Sequence, residues 1–265
     1  MNYRIARDAR PQVSALLLAT AISVCLWYLP YAEYLAYPFR IFVTFIHEGG
    51  HALAALVTGN SVQSLSVSAD GSGLVYSTDG GLLSKLFVSS AGYLGAMSFG
   101  ALLLWLVRLR VKGRVVLAAS GGLILLLATV FGFLAPLWNL NLAALFSWSG
   151  LFTLLAGLAL PAGLFAAAKY LKPRAAAFLV SFLAVQCVLN AVFDLKNVFF
   201  ASAFTDAQTD AANMAAATGI PSLLWALFWI AVALVILSLA LRAYVAGRDA
   251  PSQPDLPFED SPLEV

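Results

Sequence analysis

Five consecutive positions, His47-Glu48-Gly49-Gly50-His51, hold the only two histidines of the chain. Side chains at i and i+4 stand one above the other on a helix. Both imidazoles can therefore reach one zinc ion, and Glu48 falls beside that face, close enough to act on a water at the metal. With histidine at roughly 2% and glutamate at roughly 6% of residues, such a match arises by accident on the order of once in two hundred chains of this length. The motif also lies in an apolar stretch. An ionisable group in a membrane helix costs several kcal/mol unless it is paired or faces water, so it is read first as functional. The bland alternative is that these groups only hydrogen-bond neighbouring helices.

A catalytic zinc usually has three protein ligands and one open position, so a third donor must come from elsewhere in the chain. The acid best placed for this in an apolar run is Asp194. At helical spacing it shares one face with Cys187, Asn190 and Asn197, a polar stripe inside a bundle. Asn190, one turn before Asp194, could orient the carboxylate or bind a substrate backbone. A surface salt bridge of Asp194 to Lys196 is disfavoured, because residues two apart point to nearly opposite sides of a helix. Asp210 and then Asp206 are the fallback ligands; both fall in an expected loop, where a solvated carboxylate is the ordinary reading. Glu33, Asp70 and Asp79 also lie outside the apolar runs. Gly49 and Gly50 thin the helix beside the motif, which would let a substrate backbone approach or let another helix pack closely.

The elements that must position these groups follow from composition. Hydrophobic residues make up 62% of the 265 and charged residues 11%, against about 45–50% and about 25% in soluble domains. A net charge of +2 without long basic runs is too small to suggest nucleic acid, and no such partner is expected. Spans need roughly 20 apolar residues. Seven stretches qualify, at about 13–31, 37–58, 83–107, 115–135, 142–168, 175–200 and 220–244. The expected fold is an all-α polytopic membrane protein of about seven transmembrane helices, with one integral domain over 1–245. The remaining segment, 246–265, is acidic and proline-rich and reads as a disordered tail. Arg4, Arg7 and Arg10 precede the first run, which is long for a signal peptide and reads as a retained helix. Cys25 and Cys187 have no second cysteine or histidine nearby, which argues against a thiolate metal site or a disulfide framework.

Between the second and third runs, partial alternation flanks Asp70-Gly71-Ser72-Gly73, the mark of a small β-hairpin. Its exposed edge could hold a peptide in extended form by strand addition; an ordinary interhelical loop is the competing reading. Ala91 and Gly95, and the series Gly92, Ala96 and Gly100, follow small-xxx-small spacing and are assigned to packing.

These residues together resemble the site-2 protease family of intramembrane zinc metalloproteases, in particular its compact bacterial branch without a PDZ domain. The likeness runs through His47-Glu48-Gly49-Gly50-His51-Ala52, Thr58-Gly59, Asp70-Gly71-Ser72-Gly73, Ser90 to Ala96, Phe193-Asp194 and Thr218-Gly219-Ile220-Pro221 with Trp225. It implies that His47 and His51 bind zinc, that Glu48 activates water, and that an Asp on a later helix, matched here by Asp194, is the third ligand. Asn190 is followed by Ala191, and Asp194 by Leu195, where better-known members carry Asn-Pro and Asp-Gly. The implied activity is peptide-bond hydrolysis in transmembrane proteins or peptides, within a lipid bilayer such as a bacterial cell membrane.

Orientation is divided at this level. With seven helices, the basic turns at Arg108 to Arg114 and Lys169 to Arg174 share one side, and the positive-inside rule makes that side cytoplasmic and the N-terminus external. The N-terminal arginines argue the reverse. So does the family expectation that the hairpin after the zinc helix faces the cytoplasm. Two other functions fit the sequence: a catalytically inactive relative that binds transmembrane segments, and a metal transporter, although no internal repeat supports the latter.

Overall fold

The computed structural model describes residues 10–29, 31–78, 80–205 and 207–245, so the expected tail, Asp79 and Asp206 lie outside the described residues. The chain forms α1 (Arg10–Tyr28), α2 (Glu33–Val57), the strands β1 (Val62–Val67) and β2 (Gly73–Ser77), and α3 (Leu82–Arg108). Next come α4 (Gly113–Leu127), continued by a π-helical turn (Ala128–Leu134) into α5 (Ala135–Trp138), and the short α6 (Leu142–Leu145). The chain closes with α7 (Trp148–Tyr170), α8 (Pro173–Phe204), α9 (Asp210–Thr218) and α10 (Ser222–Val245).

Five helical segments are long and apolar enough to cross a membrane: α3, the continuous Gly113–Trp138 segment, α7, α8 and α10; within α1, Arg10–Leu26 is a shorter apolar helix. The protein is thus an integral membrane bundle with a β-hairpin after its second helix, as expected. The second expected span, at 37–58, falls in α2, which is long but does not meet that standard, since it carries Glu33, Arg40, His47, Glu48 and His51.

The first two helices also do not make two passes. Gln12, in the first turn of α1, donates to the Val107 carbonyl at the end of α3 (3.2 Å) and accepts from the Tyr244 hydroxyl at the end of α10 (3.0 Å). Further along α1, Ser23 accepts from Gln186 of α8 (3.1 Å). Phe39 of α2 then packs on Phe182, one turn nearer the start of α8, with ring centroids 4.8 Å apart. From there α2 runs antiparallel to α3, with Gly50 against Ala91 and Asn60 against Ser84. The two helices together carry the chain from one end of the bundle to the other. The start of α1 therefore lies at the same end as the α3–α4 turn, which corrects the opposite placement that seven full passes require.

The hairpin is antiparallel, pairing Leu65 with Val75 and Val67 with Gly73, with an irregularity between Val62 and Ser64. Its turn is fixed locally: Gly71 has φ +84, which suits glycine, and Asp70 Oδ1 accepts from the Ser72 hydroxyl (2.7 Å) and N–H (2.9 Å). Those bonds, hydroxyl first, hold the Asp70 carboxyl below its ordinary range. Their support for the turn is full above that range and is lost only as pH falls through the lowered value. The turn is also held by α2, where the Tyr37 hydroxyl donates to Ala69 O (2.7 Å) and the Thr44 hydroxyl lies 2.9 Å from Gly71 O.

The two edges of the hairpin are treated differently. Val67 N–H of β1 donates to Thr153 Oγ1 of α7 (2.7 Å), and the π turn brings Gly132 beside Leu65 O. An extra residue in a helical turn widens it, and here the widened turn seats β1 in the core, where Leu65 and Val67 are fully buried. No third strand pairs with β2 among the described residues, and its Leu74 and Tyr76 are exposed.

Candidate metal centre

Nearly two turns of α2 separate Arg40 from His47, and the next turn delivers His47, Glu48 and His51 to one cavity of about 810 Å³. The cavity lies at the end of the bundle opposite the α3–α4 turn: it is walled by the beginning of α3, the second half of α8, α9 and the open strand β2. Glu48 and His51 are buried. His51 Nδ1 is 2.6 Å from Val88 O of α3. A carbonyl can only accept, so Nδ1 carries the proton and Nε2 keeps its lone pair for a metal. His47 Nε2 lies 3.1 Å from His51 Nε2, and the His47 ring packs edge-on against Tyr93, centroids 4.6 Å apart.

The carboxylate that meets both imidazoles is that of Asp210. Its Oδ2 is 3.5 Å from His51 Nε2 and 3.9 Å from His47 Nε2. Among the described residues, His47, His51 and Asp210 form the group able to hold a metal ion. Three atoms 3.1, 3.5 and 3.9 Å apart lie on a circle of radius about 2.0 Å, the length of a Zn–N or Zn–O bond. Two imidazole nitrogens and one carboxylate oxygen are also an ordinary catalytic zinc donor set. The residues present fit the ion.

Asp194 does not join that group. It lines the same cavity with Asn190 and Asn197, so the expected polar stripe of α8 is its wall, but the carboxylate that reaches the imidazoles is the first fallback. Lys196 lies over the Phe193 ring, 3.8 Å from its centroid. Asn190 faces the cavity, while its amide donates to Gln186 O (2.8 Å) and Oε1 (3.2 Å). That leaves its own oxygen available to accept. Gly49 and Gly50 do not line the cavity. A Cβ on Gly49 would meet Leu127 Cδ1 at 2.6 Å, and one on Gly50 would collide with the Ala91 carbonyl. Their expected contact with substrate gives way to helix packing, because both point away from the imidazoles.

Asp210 escapes a search for apolar periodicity because α9 is short and lies between two spans. Its boundaries are nonetheless written in the sequence. Thr209 caps it, its hydroxyl accepting from Ala212 N–H (3.2 Å), and Gly219 ends it at φ +73, two residues before Pro221. Thr218 accepts from Trp225 Nε1 (3.1 Å), fastening α9 to α10.

Two further glycines shape the site. A Cβ on Gly73 would collide with the Glu48 carboxylate, and one on Gly92 with Nε2 of both histidines. Gly92 was assigned above to packing; what it makes room for is the imidazole pair. Gly92→Ala is expected to lower zinc affinity about 10–100-fold, the effect of disturbing a ligand's immediate support, with helix content unchanged by circular dichroism. Wild-type affinity in a chelator competition would show instead that the imidazoles can yield.

A family model described as Peptidase M50B-like matches residues 15–240. No curated protein and no solved structure matches the chain.

Proposed function

Since the chain belongs to the Peptidase M50B-like family, within the site-2 proteases and thus among membrane metalloproteases, we propose that it is a zinc endopeptidase cutting transmembrane proteins inside the bilayer, in a bacterial cell membrane. The observation that carries this reading is the convergence of His47 Nε2, His51 Nε2 and Asp210 Oδ2 beside Glu48 in one polar cavity. Zinc held by those three donors would polarise a scissile carbonyl and acidify a water.

Glu48 takes the proton of the attacking water and passes it to the leaving amine. It suits that role because it is buried within the cavity, and no side chain among the described residues donates a hydrogen bond to it. The Val88 carbonyl holds the His51 ring in place, and Tyr93 packs against His47 and turns its hydroxyl to Asp210. These contacts fix the donors before substrate arrives.

A transmembrane helix hides its carbonyls in its own hydrogen bonds, so the substrate must be extended to react. The β2 edge supports that step. Ser72 O and Thr78 N–H bond to Ser68 and Ser61 on the β1 side. By the alternation of an antiparallel ladder, the N–H and C=O groups of Gly73, Val75 and Ser77 are directed to the open edge. A peptide added there runs past Gly73 and hence past Glu48.

The test is zinc content and cleavage of a transmembrane peptide by the purified wild type. Stoichiometric zinc with chelator-sensitive cleavage is expected. A zinc-free protein, or one with zinc and no turnover on any transmembrane peptide, would overturn the reading.

A further inference from the structure

Away from the metal centre, α4 and α7 enclose a second groove, of about 580 Å³, on the flank of the bundle. The two helices run antiparallel: Ala128 meets Gly157, Gly121 meets Leu164 and Phe165, and Arg114 Nε donates to the Leu171 carbonyl just past the end of α7 (2.9 Å). Between the last two contacts lie about two turns of helix, roughly 10 Å, where the helices stand apart. Ala118 and Ala119 of α4 face Phe165 and Ala168 of α7 across that gap, so its walls are apolar. Arg114 and Lys169 stand at the end of the groove nearest the helix termini, and both are exposed. Arg114 spends Nε–H and one Nη2–H on the Leu171 carbonyl, which fixes the guanidinium plane and leaves its other donors facing outward. Neither base forms an ion pair among the described residues.

We propose that this groove binds an anionic phospholipid, with an acyl chain along the apolar walls and the headgroup phosphate held between Arg114 and Lys169. Both helices are long and apolar enough to cross a membrane, so the groove between them faces lipid. Bases at the ends of such helices reach the headgroup level. Basic pockets between transmembrane helices take phosphate-bearing headgroups, and the planar fork of a guanidinium matches phosphate oxygens. A helix from a second copy of the chain could fill the walls but could not answer the charge. The acids with described side chains, Glu48, Asp70, Asp194 and Asp210, lie in or beside the cavity at the opposite end, so a second copy would bring no described carboxylate to Arg114. The lipid would also have a structural consequence. The Gly113–Trp138 segment and α7 are the elements that seat β1, through Gly132 beside Leu65 O and Thr153 bonded to Val67. A lipid spanning them clamps the pair on which the hairpin rests.

The test titrates delipidated full-length protein with phosphatidylglycerol or with phosphatidylcholine of the same acyl chains, and follows bound lipid by native mass spectrometry. The wild type is expected to hold a single phosphatidylglycerol about 30-fold more tightly than phosphatidylcholine, from about fivefold per base beside the headgroup. Arg114→Gln with Lys169→Gln should reduce that preference to within about threefold. Lys112→Gln with Arg174→Gln removes the same charge outside the groove and should leave it intact. Ala119→Trp keeps both bases but fills the groove from an exposed position, and should abolish the tight site. Circular dichroism checks that each variant is folded; if the Arg114 variant is not, Lys169→Gln alone should cost about fivefold. Equal affinity for the two lipids, the same loss in both double variants, or unchanged binding in Ala119→Trp overturns the proposal. So does a dimer that holds no lipid, which would put a second copy in the groove. None of these readouts depends on zinc, on proteolysis or on which way the protein faces in the membrane.

Discussion

Asp210→Ala is expected to leave the purified protein without stoichiometric zinc, while Asp194→Asn retains it. Removing Asp210 takes away one of three candidate donors and leaves the two imidazoles, 3.1 Å apart, without the carboxylate that meets both of them. Disturbing a group that merely supports a ligand costs about 10–100-fold in affinity, so loss of a ligand itself should cost at least about 100-fold, read by chelator competition. Asp194 lines the same cavity outside the donor triangle, and its amide should shift zinc affinity by less than about tenfold. The reverse pattern, with zinc kept in Asp210→Ala and lost in Asp194→Asn, would return the third ligand to α8. That outcome would also mean that α9 leaves the imidazoles when metal binds.

Glu48→Gln should separate binding from turnover. The amide keeps the shape of the side chain against Gly73 and lies outside the donor triangle, so zinc content should match the wild type. It cannot accept the proton of the attacking water, and cleavage should fall by about 10²–10⁴-fold, the usual contribution of general acid–base catalysis. Turnover within about tenfold of wild type would show that another group moves the proton, since nothing in the binding of zinc depends on Glu48.

The two predictions differ in how far the sequence alone could have supplied them. Glu48 and its two histidines are legible because the i, i+4 rule is local: any helix through residues 47 to 51 puts them together. Five of the spans, the hairpin and its Asp70-Gly71 turn were legible for the same reason, since apolar length and turn chemistry are written in consecutive residues. Even the polar stripe of α8 was visible as a periodicity, and three of its four residues, Asn190, Asp194 and Asn197, wall the cavity, while Cys187 is buried in the core.

What consecutive residues do not contain is which separate element arrives at the site. Asp194 had the better local setting, in a long helix beside Asn190, yet the contact is made by Asp210 at the first residue of a nine-residue helix. That choice depends on how α9 docks between α3 and α10, through the Thr218–Trp225 bond and the packing around Trp229, which is itself buried and bonded to Ser90 (3.0 Å). Gly49, Gly50 and Gly92 illustrate the same limit: all three invite close approach, and only the neighbour across the interface decides whether it is a leucine, a carbonyl or an imidazole pair.

The chain by itself therefore determined that this is a membrane bundle carrying a His-Glu-x-x-His helix, because apolar length and helical spacing are properties of neighbours in sequence. Tertiary structure decided which carboxylate meets the imidazoles, the covered and open edges of the hairpin, and the end of the bundle at which α1 begins, because each depends on groups far apart in the chain being brought together by packing.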